Sequence, residues 1–317
     1  MRVKAVAISC FFVLWAQVVV VQEPKHINTP KIVKGIYLTI ETFEEQKSLD
    51  RIIALCRRTN INTLVIDVRS NGTNAFVIRN SRAKVKIDAL HSLGLYLVAR
   101  MIVFWKPDGW FDPASEHRWD QIARASRLAI ELGFDEVNYD YVRYGGPNEP
   151  QSVTPMEQRT PIIRNFCQYL KREVREKTGK PISVDFFGVT FLRSESGVGQ
   201  QVENAIENFD YVMPMVYPSH WAAGTFGIKD PGKSPYEIVF KSLTIGWKKF
   251  VDYPKRTAQL RPWLQAFGVG SIYPLQTMVY TAKDVEEQIR ACYDAGCVGW
   301  VLWNPSSSYE KYEQALK

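Results

Sequence analysis

Residues 129–144 read AIELGFDEVNYDYVRY, and they join the end of a helix to a buried strand. The helical spacing that begins at Glu116 ends at Gly133, a residue type that commonly closes a helix. From Phe134 to Val142, apolar and polar side chains alternate, which is typical of a strand. The stretch therefore predicts a helix followed by a strand, the repeating pair of an α/β protein.

Strands and helices alternate in the same way on both sides of this stretch. Eight units in a chain of 317 residues predict one α/β domain, a (β/α)₈ TIM barrel over residues 33–317. A doubly wound open sheet would need a glycine-rich turn after the first strand, and residues 38–42, LTIET, contain no glycine. The predicted strands cover residues 33–40, 61–68, 95–104, 134–142, 182–189, 210–217, 260–267 and 298–303.

The N-terminus has the pattern of an export signal. A short basic start is followed by an apolar run from Ala5 to Val21, which predicts a signal peptide or an uncleaved membrane anchor over residues 1–22. Residues 23–32 are then a linker. We expect the protein to be periplasmic, extracellular or associated with the cell envelope, and to contact a membrane only through this leader if it is not cleaved.

Charge and metal-binding residue types exclude several function classes. The net charge is +7, but the basic residues are spread along the chain, which predicts a basic surface and no nucleic-acid partner. His91 and His117 fall at helix positions and are expected to be solvated, and no two histidines have metal-ligand spacing. We predict no metal and no organic cofactor. The cysteines after the leader are expected to be mostly buried thiols, with a disulfide left open: Cys56, Cys167, Cys292 and Cys297.

In a barrel of this type, catalytic groups lie at the carboxyl ends of the strands. The alternation in the fourth strand directs Val137, Tyr139 and Tyr141 toward the helices, and Asn138 and Asp140 into the barrel. The fifth strand directs Ser183 and Asp185 inward by the same rule. Neighbouring strands lie about 4.8 Å apart, so the two aspartates are expected to face each other.

A pair of facing carboxylates suits the hydrolysis of a glycosidic bond. We assign Asp140 as nucleophile or base and Asp185 as general acid, with Asp67 as a reserve carboxylate. Asn138, Arg100 and Arg143 are expected to orient or polarise these groups. The structural alternative is that each aspartate only caps a helix or pairs with an arginine.

Aromatic residues near the strand ends fit flat sugar faces. Trp263, Trp303, Tyr217 and Trp221 are expected at the mouth of the barrel, whereas Trp300 falls on the opposite face of its strand and predicts core packing. The predicted substrate-binding set comprises Tyr37, Asp67, Arg100, Asn138, Arg143, Tyr217, His220, Trp263, Gln265, Trp303 and Asn304.

The segments GFDEVNYDYVRY, ISVDFFG, DYVMPMVYPSHW and AGCVGWVLWN occur in the order found in the putative glycoside hydrolase domain family, and the chain resembles that family over residues 34 to 304. The resemblance implies a TIM barrel, Asp140 as a catalytic carboxylate with Asp185 as partner, and Tyr217, His220, Gln265 and Asn304 around a sugar. The chain departs from the family pattern where DVKDD reads DVRSN here, and where DYVRFP reads DYVRYGGP.

The sequence thus predicts an exported glycoside hydrolase that acts on a polysaccharide or oligosaccharide, with a retaining mechanism because the carboxyls are close. The alternative is a non-catalytic carbohydrate-binding barrel of the cell envelope that keeps the aromatic mouth. A phosphodiesterase would require a metal cluster that the sequence does not show.

Overall fold

The computed structural model describes residues 26–68, 81–146, 153–193, 196–268 and 278–317. Parallel strands form a closed barrel, because the second segment of the seventh strand pairs with both the sixth and the eighth. The predicted (β/α)₈ barrel is confirmed. Its strands are β1 Val33–Leu38, β2 Thr63–Asp67, β3 Tyr96–Ile102, β4 Glu136–Asp140, β5 Ile182–Phe187, β6 Tyr211–Met215, β7 in two segments, Gln259–Leu260 and Trp263–Gln265, and β8 Gly299–Trp303.

Helices surround this barrel. The helix before β4 begins where Ser115 Oγ accepts a hydrogen bond from Arg118 N, and ends at Gly133, as predicted. The first strand was predicted to reach residue 40, but it ends earlier because Thr39 caps a short helix. The helices are α1 Ile40–Glu44, α2 Gln46–Arg58, α3 Ser81–Ser92, α4 Glu116–Leu132, α5 Met156–Leu170, α6 Val202–Asn208, α7 Pro235–Asp252 and α8 Ala282–Asp294.

The strands alternate between two buried layers. Val137, Tyr139 and Trp300 pack in the layer between the strands and the helices, as their sequence positions predict. A second, smaller cluster fills the inside of the barrel and includes Tyr96 and Val98. Side chains at the inward positions of the strands therefore enter the barrel.

An ion pair crosses the inside of the barrel near its amino-terminal end. Arg261 of the loop between the β7 segments donates to both carboxylate oxygens of Glu136, with 3.2 Å from Nη1 to Oε2. Ser183 Oγ donates to Oε1 at 2.6 Å, and Tyr96 Oη donates to Oε2 at 3.0 Å. Both charged side chains are buried, so their charges are balanced mainly by each other.

Residues 26–32 lie across the amino-terminal end of the barrel. The backbone N–H of Ile27 donates to Asp135 Oδ1 at 2.7 Å, and His26 Nδ1 lies 3.5 Å from the same oxygen. Thr29 Oγ1 donates to Tyr96 Oη at 3.0 Å. The described part of the predicted linker is therefore fixed to the barrel by hydrogen bonds.

His91 differs from its prediction. The sequence placed it on a solvated helix face, but it is 2% exposed, and its Nε2 lies 2.9 Å from Asp135 Oδ2. That oxygen also accepts a hydrogen bond from Leu97 N at 2.9 Å. The prediction was wrong because a helical position does not reveal a buried carboxylate directly before β4. His117 is exposed, as expected.

The predicted leader and residues 69–71, where DVKDD of the family pattern is replaced, lie outside the described residues. In the described part of the chain, no helix is both long enough and apolar enough to cross a bilayer. Cys56, Cys167, Cys292 and Cys297 are buried free thiols, as expected.

Candidate active site

A cavity of about 640 Å³ opens at the carboxyl ends of the strands, where the barrel type predicts the chemistry. It extends along the loops that follow β4, β5 and β6. Eight of the predicted site residues border it: Arg100, Asp140, Arg143, Asp185, Tyr217, His220, Trp263 and Trp303.

Arg100 joins carboxylates from three strands. Its Nη1 donates to Asp67 Oδ1 of β2 at 2.5 Å, and its Nη2 donates to Asp140 Oδ2 of β4. Its Nε lies 3.9 Å from Asp185 Oδ2 of β5. The other oxygen of Asp140 accepts a hydrogen bond from the backbone N–H of Tyr141 at 2.6 Å. The predicted pair of aspartates is therefore present, and one guanidinium holds both.

Asp185 is fixed by neutral donors. Asn138 Nδ2 donates to Asp185 Oδ1 at 2.7 Å and to Ser183 Oγ at 3.1 Å. The indole of Trp263 also hydrogen-bonds to Asp185. These contacts orient the carboxyl group toward the cavity, although its residue is only 1% exposed.

One guanidinium cannot balance three carboxylates. Burial raises the pKa of Asp185 well above its usual range, and the charge of Asp140 raises it further, against the opposing effects of Arg100 and the donors. Burial also raises the pKa of Asp67. Burial alone would lower the pKa of Arg100, but the charges of Asp67 and Asp140 raise it well above its usual range. The site therefore pairs a permanent cation with a carboxyl group that favours its protonated form.

The replacement Asp185→Asn should stabilise the protein at neutral pH. An unfolded aspartate loses its proton near pH 3.9, whereas the raised pKa keeps the proton in the folded state. Between these two pKa values the folded state holds more protons, so wild-type stability falls as the pH rises. We expect a higher melting temperature for the variant at pH 7 and equal melting temperatures below about pH 4. A variant that melts below wild type at pH 7 would contradict the assignment.

Five predicted site residues do not border the cavity and contact neighbouring side chains or backbone. Asn138 holds Asp185, and Tyr37 Oη donates to Asp67 Oδ2 at 2.6 Å. Gln265 accepts a hydrogen bond from Ser219 N at 3.2 Å, and Asn304 Nδ2 donates to Ala266 O at 2.6 Å. The structure places Tyr37, Asp67, Asn138, Gln265 and Asn304 outside the residues that border the cavity.

An aromatic wall, formed by Tyr217, His220 and Trp303, borders one side of the cavity. The rings of Tyr217 and Trp303 are stacked with centroids 5.7 Å apart, and His220 meets Tyr217 edge-on at 5.4 Å. Phe267 packs behind Trp303 at 5.0 Å. Burial lowers the pKa of His220, which leaves the ring neutral near pH 7. This surface can stack against an apolar ring face without adding charge.

Tyr141 borders the cavity, although the alternation directed it toward the helices. β4 ends at Asp140, and Tyr141 has a φ of 57°, in the left-handed region, so the alternation stops there. Its ring stacks on Trp105 at 5.5 Å. The prediction was wrong because the sequence pattern did not show where the strand ends.

Gly188 is a second site residue that sequence reasoning missed. A Cβ at this position would lie 2.8 Å from Met215 O and 3.2 Å from Trp221 Cζ2. Only glycine therefore allows the end of β5 to approach the loop after β6 this closely. A glycine near the end of the predicted strand 182–189 was the available signal.

No group of three or more His, Cys, Asp or Glu side chains within residues 26–68, 81–146, 153–193, 196–268 and 278–317 is arranged to hold a metal ion.

Solved structures with the same fold cover nearly the whole chain. The glycoside hydrolase domain of PgaB (BpsB) from Bordetella bronchiseptica is 12% identical, with a TM-score of 0.64 over 90% of this chain and 98% of that one. A class V chitinase from Pseudomonas fluorescens Pf-5 is 14% identical, with a TM-score of 0.60 over 90% and 98%. The spore cortex-lytic enzyme SleL of Bacillus cereus is 12% identical, with a TM-score of 0.58 over 90% and 73%. At these identities the likeness shows the fold.

A comparison with curated proteins finds no match. The family model described as "Putative glycosyl hydrolase domain" matches residues 105–309, which is more than half of the chain and includes Asp140, Asp185 and the aromatic wall. The resemblance stated from the sequence is confirmed over this range, and the chain belongs to the putative glycosyl hydrolase domain family.

Proposed function

We propose that this chain is a glycoside hydrolase that uses Asp140 and Asp185 to cleave a glycosidic bond of a polysaccharide or oligosaccharide. The observation that carries the proposal is the pair of carboxyl groups on adjacent strands, both within reach of Arg100 and both bordering one cavity. Glycoside hydrolysis requires two such groups, one as acid and one as nucleophile or base.

The surroundings of each carboxyl group support different roles. Asp140 accepts hydrogen bonds from Arg100 and from Tyr141 N, and these hold its two carboxylate oxygens in a fixed position, as a nucleophile requires. Burial and the Asp140 charge favour the protonated form of Asp185, which suits the acid that protonates the leaving oxygen.

A retaining mechanism fits the adjacent strands. Retaining enzymes hold their carboxyl groups about 5–5.5 Å apart, and inverting enzymes about 6.5–9.5 Å apart. Asp140 is the last residue of β4, Asp185 lies near the end of the neighbouring strand β5, and Arg100 contacts both. We therefore expect the first product to keep the anomeric configuration of the substrate.

The aromatic wall and the structural neighbours support a carbohydrate as substrate. Stacked rings beside polar groups fit the apolar face and hydroxyl rim of a sugar. Two of the neighbours are, by their names, a glycoside hydrolase domain and a chitinase. The second candidate is a carbohydrate-binding barrel that does not hydrolyse its ligand. The ion pairs of Arg100 with Asp67 and Asp140 favour it, because they give these carboxylates a structural role.

A hydrolysis screen separates the two candidates. The full chain is incubated with α- and β-linked glycans, and proton NMR follows reducing ends and the anomer formed first. We expect turnover of at least one glycan with retention. Inversion would contradict the retaining mechanism, and sugar binding without turnover on any glycan would favour the binding barrel.

We also propose that residues 1–22 direct export of the barrel, as their basic start and apolar run predict. Cell fractionation of the native producer should place the protein in the envelope or the medium, and recovery from the cytoplasm alone would contradict the proposal.

A further inference from the structure

A short antiparallel hairpin follows β3 at the carboxyl end of the barrel. It pairs Trp105–Lys106 with Gly109–Trp110, and we call residues 105–110 the tryptophan hairpin. Because β3 pairs with β4, the tryptophan hairpin lies next to the strand that ends at Asp140. Two indole rings are therefore placed beside the proposed catalytic carboxylate.

The two tryptophans of the hairpin have different surroundings. Trp110 packs against the main hydrophobic core, and the guanidinium carbon of Arg143 lies 4.4 Å from its ring centroid. Trp105 is half-buried and, in the described part of the chain, is not among the residues that pack against that core. Its ring stacks on that of Tyr141, with centroids 5.5 Å apart and an angle of 29° between the planes. Trp110 therefore anchors the hairpin, and Trp105 remains partly exposed.

Tyr141 connects the tryptophan hairpin to the cavity. It directly follows Asp140 and borders the cavity, while its ring stacks on Trp105. Its φ of 57° turns the chain out of β4, which brings the ring to the hairpin instead of the layer of helices. Trp105 and Tyr141 thus form one aromatic surface that begins at the edge of the cavity, next to Asp140.

Aromatic rings flank the carboxyl groups on two sides. Around the barrel the strands follow the order β3, β4, β5, β6. Asp140 ends β4, and Asp185 lies near the end of β5. The tryptophan hairpin follows β3 on one side of this pair, and the aromatic wall comes from β8 and from the loop after β6 on the other side. A saccharide that stacks on both surfaces therefore passes over the two carboxyl groups.

We propose that Trp105 forms a second sugar-binding platform, so that a polysaccharide lies across the cavity with sugar units bound on both sides of the scissile bond. The inference rests on the proposed function, because it describes how the same site holds its substrate. A flat indole binds the apolar C–H face of a sugar ring, and binding energy from distant sugar units can contribute to the rate. Cleavage inside a chain follows, because neither chain end is needed for binding.

The structural alternative is that Trp105 only stabilises the hairpin. Trp105 and Trp110 are direct cross-strand partners, and aromatic pairs of this kind stabilise antiparallel strands. Trp105→Leu separates the two roles, because leucine keeps apolar volume in the hairpin but has no flat ring. Trp105→Phe keeps a smaller flat ring at the same place.

The binding test uses three ladders of oligosaccharides, from disaccharides to octasaccharides: chito-, cello- and malto-oligosaccharides. Calorimetry with the full-length Asp140→Asn chain measures each affinity without hydrolysis. We expect the affinity in at least one ladder to rise with chain length. Adding Trp105→Leu should weaken the binding of the longest members about 10-fold and that of the shortest members less. Trp105→Phe should keep part of the gain with length.

Trp247→Leu is the matched control. Trp247 is also half-buried and stacked on a ring, that of Phe250 at 6.3 Å. It lies near the end of α7, which leads to the amino-terminal end of β7 and not to the cavity. We expect this variant to bind every ladder member as its parent does.

Product analysis with the wild-type chain tests where the polysaccharide is cut. The substrate is the polymer of a ladder that binds: colloidal chitin, carboxymethyl cellulose or amylose. Cleavage inside chains should release products of several lengths from the start and, for a dissolved polymer, lower the viscosity before many reducing ends appear. Release of one short product from the start would show cleavage at a chain end and would contradict the inference.

Failure of this inference and failure of the proposed function look different. Binding of no ladder, an affinity that does not rise with length, or a rise that survives Trp105→Leu in a folded variant would overturn the inference. If Trp105→Leu does not fold, Trp105→Phe decides by the same comparison. Hydrolysis of any glycan would then leave the hydrolase proposal standing. Conversely, Trp105-dependent binding of long members that the wild-type chain does not cleave would support the platform and contradict the hydrolase.

Discussion

Replacing Asp140 with asparagine should lower glycan hydrolysis by about 10²–10⁴-fold and leave glycan binding intact. Asparagine cannot supply the negative charge that attacks the anomeric carbon or activates water. Its side-chain oxygen can still accept the hydrogen bond that Tyr141 N donates to Asp140. The fold should therefore persist, since Arg100 keeps its bond to Asp67. Initial rates, together with calorimetric binding of the same glycan, check the prediction.

Asp67→Asn is the matched control for this experiment. Asp67 contacts the same guanidinium as Asp140 but does not border the cavity. Its loss changes the charge around Arg100 without removing a group that reaches substrate, so we expect a rate loss of about 10-fold or less. Equal losses in the two variants would indicate that charge balance, and not chemistry at Asp140, explains the effect. Turnover by Asp140→Asn at wild-type rates would contradict the catalytic assignment.

Arg261→Met should lower the free energy of unfolding by about 3–5 kcal/mol. Among the residues that the structure describes, the substitution leaves Ser183 and Tyr96 as the hydrogen-bond donors to the Glu136 carboxylate inside the barrel. Glu136 is fully buried, so water cannot replace the lost guanidinium. Urea unfolding followed by tryptophan fluorescence measures the change, because the slope and midpoint give the free energy directly.

The double variant Arg261→Met with Glu136→Gln tests why Arg261→Met lowers the free energy of unfolding. If an unpaired buried charge explains the instability, neutralising Glu136 should recover most of the loss. If the double variant is as unstable as the single one, the loss comes from the packing of Arg261, whose guanidinium lies 4.1 Å from the ring centroid of Tyr211. A loss below about 1 kcal/mol in Arg261→Met would contradict a role for the pair in stability.

The sequence is informative where the backbone is regular. Alternation directed Asn138, Asp140 and Asp185 into the barrel, and the contacts of β4 and β5 agree. The prediction for Tyr141 failed one residue later, because a positive φ ends the alternation. Periodicity describes a strand, but it does not locate the strand's last residue.

The sequence could not predict which side chains of different strands contact each other. Arg100 was expected to orient a carboxylate, but its contact with three strands depends on the register that pairs Asp67 with Arg100 and Arg100 with Asn138. Gln265 and Asn304 were expected to touch a sugar, yet each holds a loop backbone. A polar residue at a strand end can face the cavity or the loop beside it, and only the three-dimensional arrangement distinguishes them.

The segment from residue 26 to residue 32 determines where a recombinant fragment of this protein can start. The backbone N–H of Ile27 donates a hydrogen bond to Asp135, and the Thr29 hydroxyl donates one to Tyr96, at the amino-terminal end of the barrel. A fragment that starts at the first strand would expose the Asp135 and Tyr96 oxygens that accept these hydrogen bonds. A fragment that starts before His26 keeps both oxygens covered. If the proposed leader is cleaved, the cleavage must likewise lie upstream of His26 for the mature protein to keep these hydrogen bonds.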